Sequence, residues 1–417
     1  ARFVKDTFLG IYRSEGQLQK YVNSYAFKDM IDFSRTSFDK AIKCNVQNTS
    51  LTIESKFPSK SIQEITSVIE TGSRPSGGAI SSGVLSLGGE HIDNTSGFLN
   101  FSESKFVSEE YFKKANRGKI LKNDFLICKD GALTGKVALV RDELNDKKAM
   151  INEHVFLIRC ANIETQKYMF NFFFCSMGQI LLKQNITGSA QGGLNSTNFK
   201  NIKIPLPPLD VQKSIVAECE QVDGEYQNAE KEIAECRAKI TEIMANETGI
   251  NKKLKDICEM KAGKFVSADD ISPIQKEGMY PCFGGNGLRG YVADFTHDGV
   301  YPLVGRQGAL CGNVCMATGK FHATEHAVAV TPKENIDVYW LRYQLEFMNL
   351  NQYSTGTAQP GLSVNKIVEV SCTVPPLAKQ QEIVSQITAF ESKIADAKKV
   401  MEECPAKKQA ILDKWLK

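Results

Sequence analysis

Two dipeptides, Glu153-His154 and Glu325-His326, set a carboxylate beside an imidazole, the pairing that general acid–base chemistry uses. Each lies on or beside a β-type run, where adjacent side chains point to opposite faces. That geometry argues against joint action on one substrate and for a structural role, with one side chain bonding a nearby loop. Cys311, Cys315, His322 and His326 are spaced C-x3-C-x6-H-x3-H, a candidate metal set. Its central gap is shorter than the roughly 12 residues of a ββα zinc unit. The first half of the chain offers no second Cys or His pair, so no metal is expected. Phe283-Gly284-Gly285-Asn286-Gly287 could turn around S-adenosylmethionine, yet it follows no clear buried strand. No Asn- or Asp-Pro-Pro-aromatic tetrapeptide accompanies it, and no G-x-x-x-x-G-K-(S/T) phosphate loop occurs. Catalysis by this chain alone is not expected.

The remaining polar residues suit binding. Gly-rich turns let backbone N–H groups approach phosphates, and side chains in the same turns can reach base edges. In the first half of the chain the candidates are Arg74, Ser76, Lys129, Lys136, Ser189 and Gln191. In the second half they are Lys261, Lys264, Asn286, Arg289, Arg306, Gln307, Thr357 and Gln359. Global charge helps little: 51 Lys plus Arg against 48 Asp plus Glu give +3, so a nucleic-acid partner must be held locally. The 417 residues, 42% apolar and 24% charged, suit about two to four folded domains. No run approaches about 18 uninterrupted apolar residues and the start lacks a signal-peptide pattern, so a cytoplasmic chain without membrane contact is expected. The 12 Cys are scattered singly, mostly in apolar runs, and suit buried free thiols. The first residue is Ala1, which fits a processed chain or the tail of something longer.

The elements that must position these residues recur along the chain. Thr-Gly-Ser-Ala-Gln-Gly-Gly-Leu at 187–194 returns as Thr-Gly-Thr-Ala-Gln-Pro-Gly-Leu at 355–362, an offset of 168. Pro207-Pro208-Leu209, Gln212 and Ile215-Val216 return at the same offset as Pro375-Pro376-Leu377, Gln380 and Ile383-Val384. The Glu-His pairs lie 172 apart, Gly131-Ala132-Leu133 and Gly308-Ala309-Leu310 lie 177 apart, and Ile65 and Ile257 lie 192 apart. The order holds while the offset falls by 192 − 168 = 24. One module therefore occurs twice, the second time with shorter loops.

Each copy begins with short β-type runs, such as 125–128 and 155–158, then 301–304 and 327–330. A helix is predicted over about 164–183 and again over about 336–350. Its aromatics, among them Tyr168, Phe170, Phe172, Phe173 and Phe174, then Tyr339, Trp340, Tyr343 and Phe347, read as core at that spacing. After each Pro-Pro-Leu comes a longer helix. Ile215, Cys219, Val222, Tyr226, Ala229, Ile233, Cys236, Ile240 and Ile243 alternate by four and three, a heptad seam. Ile383, Ile387, Phe390, Ile394, Ala397, Met401, Cys404, Ile411 and Trp415 follow the same frame, with Lys408 breaking it. Pro405 is expected to kink or split that helix. Two such seams in one chain pack most simply on each other.

Two mixed α/β modules, each ending in Pro-Pro-Leu, Gln and a heptad helix, resemble the specificity subunit of a type I restriction-modification system. Further residues carry the likeness over about 55–417: Gly72-Ser73-Arg74-Pro75, Leu87-Gly88-Gly89-Glu90-His91, the Gly-Ala-Leu and Thr-Gly-(Ser/Thr)-Ala-Gln loops, and Tyr280-Pro281-Cys282-Phe283-Gly284-Gly285. The fold this implies is α+β: two tandem target recognition domains separated by two long antiparallel coiled-coil helices. The boundaries read as an extension 1–54, recognition domain 55–206, helix 207–250, recognition domain 251–374 and helix 375–417. The resemblance implies that each domain reads one half of a split double-stranded DNA site, with the helices as spacer and dock for methyltransferase subunits. It places S-adenosylmethionine in those partners, no cofactor in this chain, and a restriction or translocase subunit among the further partners. Phe8-Leu9-Gly10-Ile11-Tyr12 with Ser14-Glu15-Gly16 loosely resembles the end of a methylase region, which leaves open the specificity portion of a fused methyltransferase-endonuclease. A tandem-module protein that binds no DNA is the alternative from another class.

Overall fold

Phe125, Leu126, Ile127 and Cys128 are all buried, as a strand covered on both faces requires. The computed structural model describes residues 53–145, 147–187, 192–308, 310–356 and 360–417. The first module runs β1 (Ser59–Ser61), β2 (Thr66–Thr71), β3 (Val84–Leu87), β4 (Phe106–Val107), β5 (Phe125–Cys128), β6 (Val137–Leu139), β7 (Ala149–Ile151) and β8 (Val155–Cys160). It continues with α1 (Ile163–Phe174), α2 (Ser176–Gln184) and β9 (Lys203–Pro205), and leads into α3 (Leu209–Ala245). The second has β10 (Ile250–Lys253), β11 (Cys258–Ala262), β12 (Tyr280–Gly284), β13 (Gly287–Val292), β14 (His297–Gly305), β15 (Val314–Ala323) and β16 (Ala327–Pro332). After them come α4 (Val338–Phe347), β17 (Ser371–Val374) and α5 (Leu377–Leu416).

The repeat extends to strand order and register. The antiparallel order β2-β8-β5-β6 in the first module recurs as β11-β16-β14-β15 in the second, where β12-β13 is added beyond β15. Phe156 faces Ile127, which faces Val137; their counterparts Val328, Val304 and Val314 face each other in the same way. Each module is closed by pairing its first strand with its last: Ser59 opposite Pro205 in β1-β9, and Asn251 opposite Thr373 in β10-β17. The offsets of 192 and 168 read from the sequence convert the first of these pairs into the second.

In the first module α1 supplies the aromatic core. Tyr168, Phe170, Phe172 and Phe173 are fully buried, and Phe173 stacks on Phe125 at 6.1 Å. The expected single helix over 164–183 is instead two, broken at an extended Cys175. No proline or glycine stands at the break itself; the backbone of Phe172 and Phe173 comes so close to Gly178 that a β-carbon there would stand 2.2 Å from the Phe172 carbonyl oxygen. In α4, Trp340 and Tyr343 are core, but Tyr339 and Phe347 are more than 40% exposed, contrary to the expectation for them.

By contacts the chain divides into two units, 1–223 with 404–417 and 224–403. Each long helix contributes to both. In the first unit Glu218 meets Lys414 and Trp415, while Cys404 meets the Val222 carbonyl, so α3 and α5 run antiparallel. In the second, Ala229 and Ile233 pack with Ala397, and Lys239 lies over Phe390. Ile215, Cys219, Val222, Ile233, Ile383 and Ile387 are buried; Tyr226, Ile240, Phe390, Ile394 and Met401 are half-buried.

The C-terminal part of α5 differs from expectation. Pro405 does not split it: the helix runs unbroken from Leu377 to Leu416. Residues on either side of the proline are tied to the first unit, Cys404 through Val222 and Lys408 through an ion pair with Asp223. Beyond Cys404 the buried positions are Lys408, Leu412 and Leu416, spaced by four, rather than Ile411 and Trp415. Leu412 and Leu416 enter the core of the first module alongside Phe172 and Ile215, a broad surface that does not impose a heptad frame. Lys408 is therefore part of the packing, 1% exposed, with its ammonium 2.5 Å from Asp223.

Candidate nucleic-acid interface

At one corner of each module, the ends of several strands are held in the same backbone lattice. The Lys129 amide donates to the His154 carbonyl at 2.9 Å, and the Arg306 amide to the His326 carbonyl at 3.0 Å. The Leu194 amide returns to the Lys129 carbonyl, as that of Leu362 does to Arg306. Asp130 bridges Gly193 just as Gln307 bridges Gly361. Gly131 and Gly308 turn the chain at φ +80° and +84°, a conformation that suits glycine. Gly72 and Gly263 lie against strand-end carbonyls of Ile151 and Ala323, where a β-carbon would stand 1.7 Å and 2.1 Å from the oxygen.

Side chains from different segments meet on this frame. In the first module the Lys129 ammonium lies 2.7 Å from Asp130 Oδ2, His154 Nδ1 lies 2.6 Å from Asp130 Oδ1, and His154 Nε2 lies 3.2 Å from Glu153. Arg74, in the loop after β2, stands 3.7 Å from the same Glu153 oxygen. Burial alone would raise the Asp130 carboxyl, but the hydrogen bonds from Lys129 and His154 more than offset it and hold it below its ordinary range. In the second module His326 Nε2 lies 3.1 Å from Glu325. The expectation that the Glu-His residues point apart is corrected: they sit in a turn before β8 and β16, not within the strand, so the two side chains touch. His154 bonds a neighbouring loop, through Asp130.

Lys261, Arg306 and Gln307 line one open concavity of about 720 Å³, together with Thr355 and Asn365. Asn286 and Arg289 are exposed on the β12-β13 hairpin, whose Gly285 abuts the His326 carbonyl and the Arg306 amide. Lys264 is exposed, and its backbone bonds Ala323 and His322. Lys136 is half-buried beside Cys128, and Ser76 is exposed in a turn closed by Gly78 and Pro75. Ser189, Gln191, Thr357 and Gln359 lie outside the described residues. Sequence reasoning missed Asp130, which follows Lys129 and aligns with Gln307 at the 177 offset that fixed the neighbouring loops. It also missed the meeting of Arg74 with Glu153, for which local spacing gave no signal. Among the described residues no three or more His, Cys, Asp or Glu side chains are grouped so as to hold a metal ion.

The frame is common to both modules while its side chains differ, Lys129 and Asp130 in one against Arg306 and Gln307 in the other. A fixed backbone with exchangeable donors and acceptors presents different polar groups at equivalent places.

Comparison with known proteins agrees. The family model described as "Type I restriction modification DNA specificity domain" matches residues 83–236 and again 247–403. The chain is 34% identical over 317 residues to the type I restriction enzyme EcoprrI specificity subunit of Escherichia coli, a match covering 67% of this chain and 79% of that one. It is 23% identical over 370 residues to the MjaVIII specificity subunit of Methanocaldococcus jannaschii, covering 74% and 84%. In fold it is similar to the S subunit of the type I system of M. genitalium, with a TM-score of 0.53 at 14% identity over 88% of this chain and 98% of that one. The duplicated family domain, on a matching fold, places this chain in the family of type I restriction-modification specificity subunits.

Proposed function

We propose that each of the two recognition domains reads one half of a bipartite double-stranded DNA site, and that α3 and α5 serve as spacer and as dock for methyltransferase subunits. In this reading the chain performs no chemistry. S-adenosylmethionine belongs to the methyltransferase partners, which modify adenine, and a restriction or translocase subunit joins the same complex in the cytoplasm. No described helix is long and apolar enough to cross a membrane. The observation that carries the reading is the frame shared by two modules with unlike side chains on it. With a net charge of only +3, this chain draws little on the sequence-independent attraction that dominates non-specific DNA binding. Firm binding is accordingly expected of the assembled complex rather than of the isolated chain.

The test is co-expression with a type I methyltransferase subunit from the same source, followed by single-molecule sequencing of host DNA for methyladenine. A split motif with a fixed gap, one half of which changes when one module is exchanged, is expected. Methylation that ignores this chain would refute the reading.

A further inference from the structure

The two modules hold one residue at an equivalent place with different chemistry. Asp130 and Gln307 each follow the end of a central strand, each pair with the glycine before the returning leucine, and each are flanked by a cation, Lys129 or Arg306. Neither is consumed by the core: Asp130 is about one-third exposed and Gln307 is exposed. The strand-end amide bonds and glycine bridges that hold their backbones are duplicated, while the side chain presented differs between the copies.

Resting on the reading of the chain as a DNA selector, we propose that Asp130 and Gln307 are equivalent base-reading residues, one in each half-site. Asp130 accepts a hydrogen bond from the exocyclic N4 amino group of cytosine in the major groove. Gln307 pairs with adenine, its amide accepting from N6 and donating to N7. His154 and Lys129 position the Asp130 carboxylate by holding one oxygen each, at 2.6 and 2.7 Å, which leaves further lone pairs on both for the base. His154 is in turn braced by Glu153, which gives the Glu-His turn of the first module a part in recognition. Gln307 has no such brace; it stands at the rim of the 720 Å³ concavity, where Lys261 and Arg306 can meet the phosphates beside the base.

The experiment uses the full chain in complex with its methyltransferase subunits. The wild-type motif is read from a library of duplexes with both half-sites randomised, and the same selection is then run with Asp130→Gln and Gln307→Asp. Asp130→Gln should shift one position of one half-site to adenine, and Gln307→Asp should relax an adenine requirement toward cytosine in the other half. The change in preference at that position should be at least about fivefold, with every other position unchanged. A wild-type motif that both variants leave intact overturns the proposal while the reading of the chain as a DNA selector stands. A uniform loss of binding with no change in preference likewise overturns it, since that is what a structural role predicts. Absence of any motif from the wild-type complex overturns both. Gln307→Asp, at an exposed side chain, keeps the test decisive if Asp130→Gln disturbs the contact with His154.

Discussion

Replacing Asp223 by asparagine would leave two cations facing each other inside the first unit. Asp223 Oδ1 forms an ion pair with the Lys408 ammonium at 2.5 Å and Oδ2 accepts a hydrogen bond from Arg141 at 2.7 Å, and the Asp223 side chain is only 12% exposed. The Lys408 ammonium also lies 4.9 Å from the Phe174 ring and 5.3 Å from that of Phe170, while Arg141 stacks 4.0 Å from Phe98. Those rings can attract a cation, but they cannot replace the missing negative charge. Breaking a buried pair from one side costs about 3–5 kcal/mol. In a unit of this size about 2–4 °C accompanies each kcal/mol, so the first unit's melting temperature should fall by roughly 6–20 °C. Lys408→Met is the contrasting variant: Asp223 keeps Arg141, and an apolar chain of similar length fills the space against the two rings. Its cost should stay below about 2 kcal/mol, because apolar replacement of a buried ion is often close to neutral. Thermal and urea unfolding of the full chain, followed by circular dichroism, checks both. The reasoning is refuted if Asp223→Asn melts within about 2 °C of wild type, or if Lys408→Met is as damaging.

Three other outcomes follow from the packing. Gln212 and Gln380 are buried, and each amide donates to a proline carbonyl five residues back while its oxygen accepts from the module, from Thr165 in one case and the Asp337 amide in the other. Alanine at either position should cost about 1–3 kcal/mol in urea unfolding of the corresponding unit, by leaving buried groups unpaired. Gly263→Ala should destabilise the second unit by at least about 1–3 kcal/mol in the same measurement, because its β-carbon would meet the Ala323 and Thr324 carbonyls. Burial lifts the Glu247 carboxyl above its ordinary value despite the hydrogen bond from the Trp340 indole. A carboxyl raised in the folded state contributes stability below its unfolded pKa and loses it as pH rises through the folded one. Glu247→Gln, which can keep the indole bond, should therefore melt no lower than wild type at pH 8 and lose less stability than wild type as the pH rises from 4 to 7.

The repeat was legible because it is carried by residues with strict local jobs. Pro-Pro-Leu begins a helix, glutamine ties that start to its module, and glycine makes the tight turns, so spacing alone aligned the two copies down to strand register. The seam was legible where the two long helices meet each other, at Ala229, Ile233 and Ala397 with Ile394 and Met401 beside them. Where the partner is a broad core, heptad reasoning failed: Leu412 and Leu416 displaced Ile411 and Trp415, and Lys408, an apparent defect, proved to be buried against Asp223. The break at Cys175 brings the Phe172 and Phe173 backbone against Gly178, an approach that leaves no room for a β-carbon, and its local trace is that one glycine three residues on. The candidate interface was half legible in its geometry. Loop residues such as Arg74, Lys129 and Gln307 could be named, but the contacts of Asp130 with His154 and of Arg74 with Glu153 join segments 24 and 79 residues apart, a separation at which no local pattern constrains one residue by the other.

The division of the chain also sets an order of assembly. The unit 224–403 is one continuous stretch, whereas the first unit takes its last pieces, including Leu412 and Leu416, from 404–417. During synthesis at about 5–20 residues per second, the second unit has all its residues before the first receives its closing helix. The first module must therefore wait, for on the order of ten seconds or more, with the apolar surface that Leu412 and Leu416 later cover still open. The domain that is begun first is finished last, and a nascent chain cut short near residue 400 would harm the recognition domain farthest from the cut in sequence.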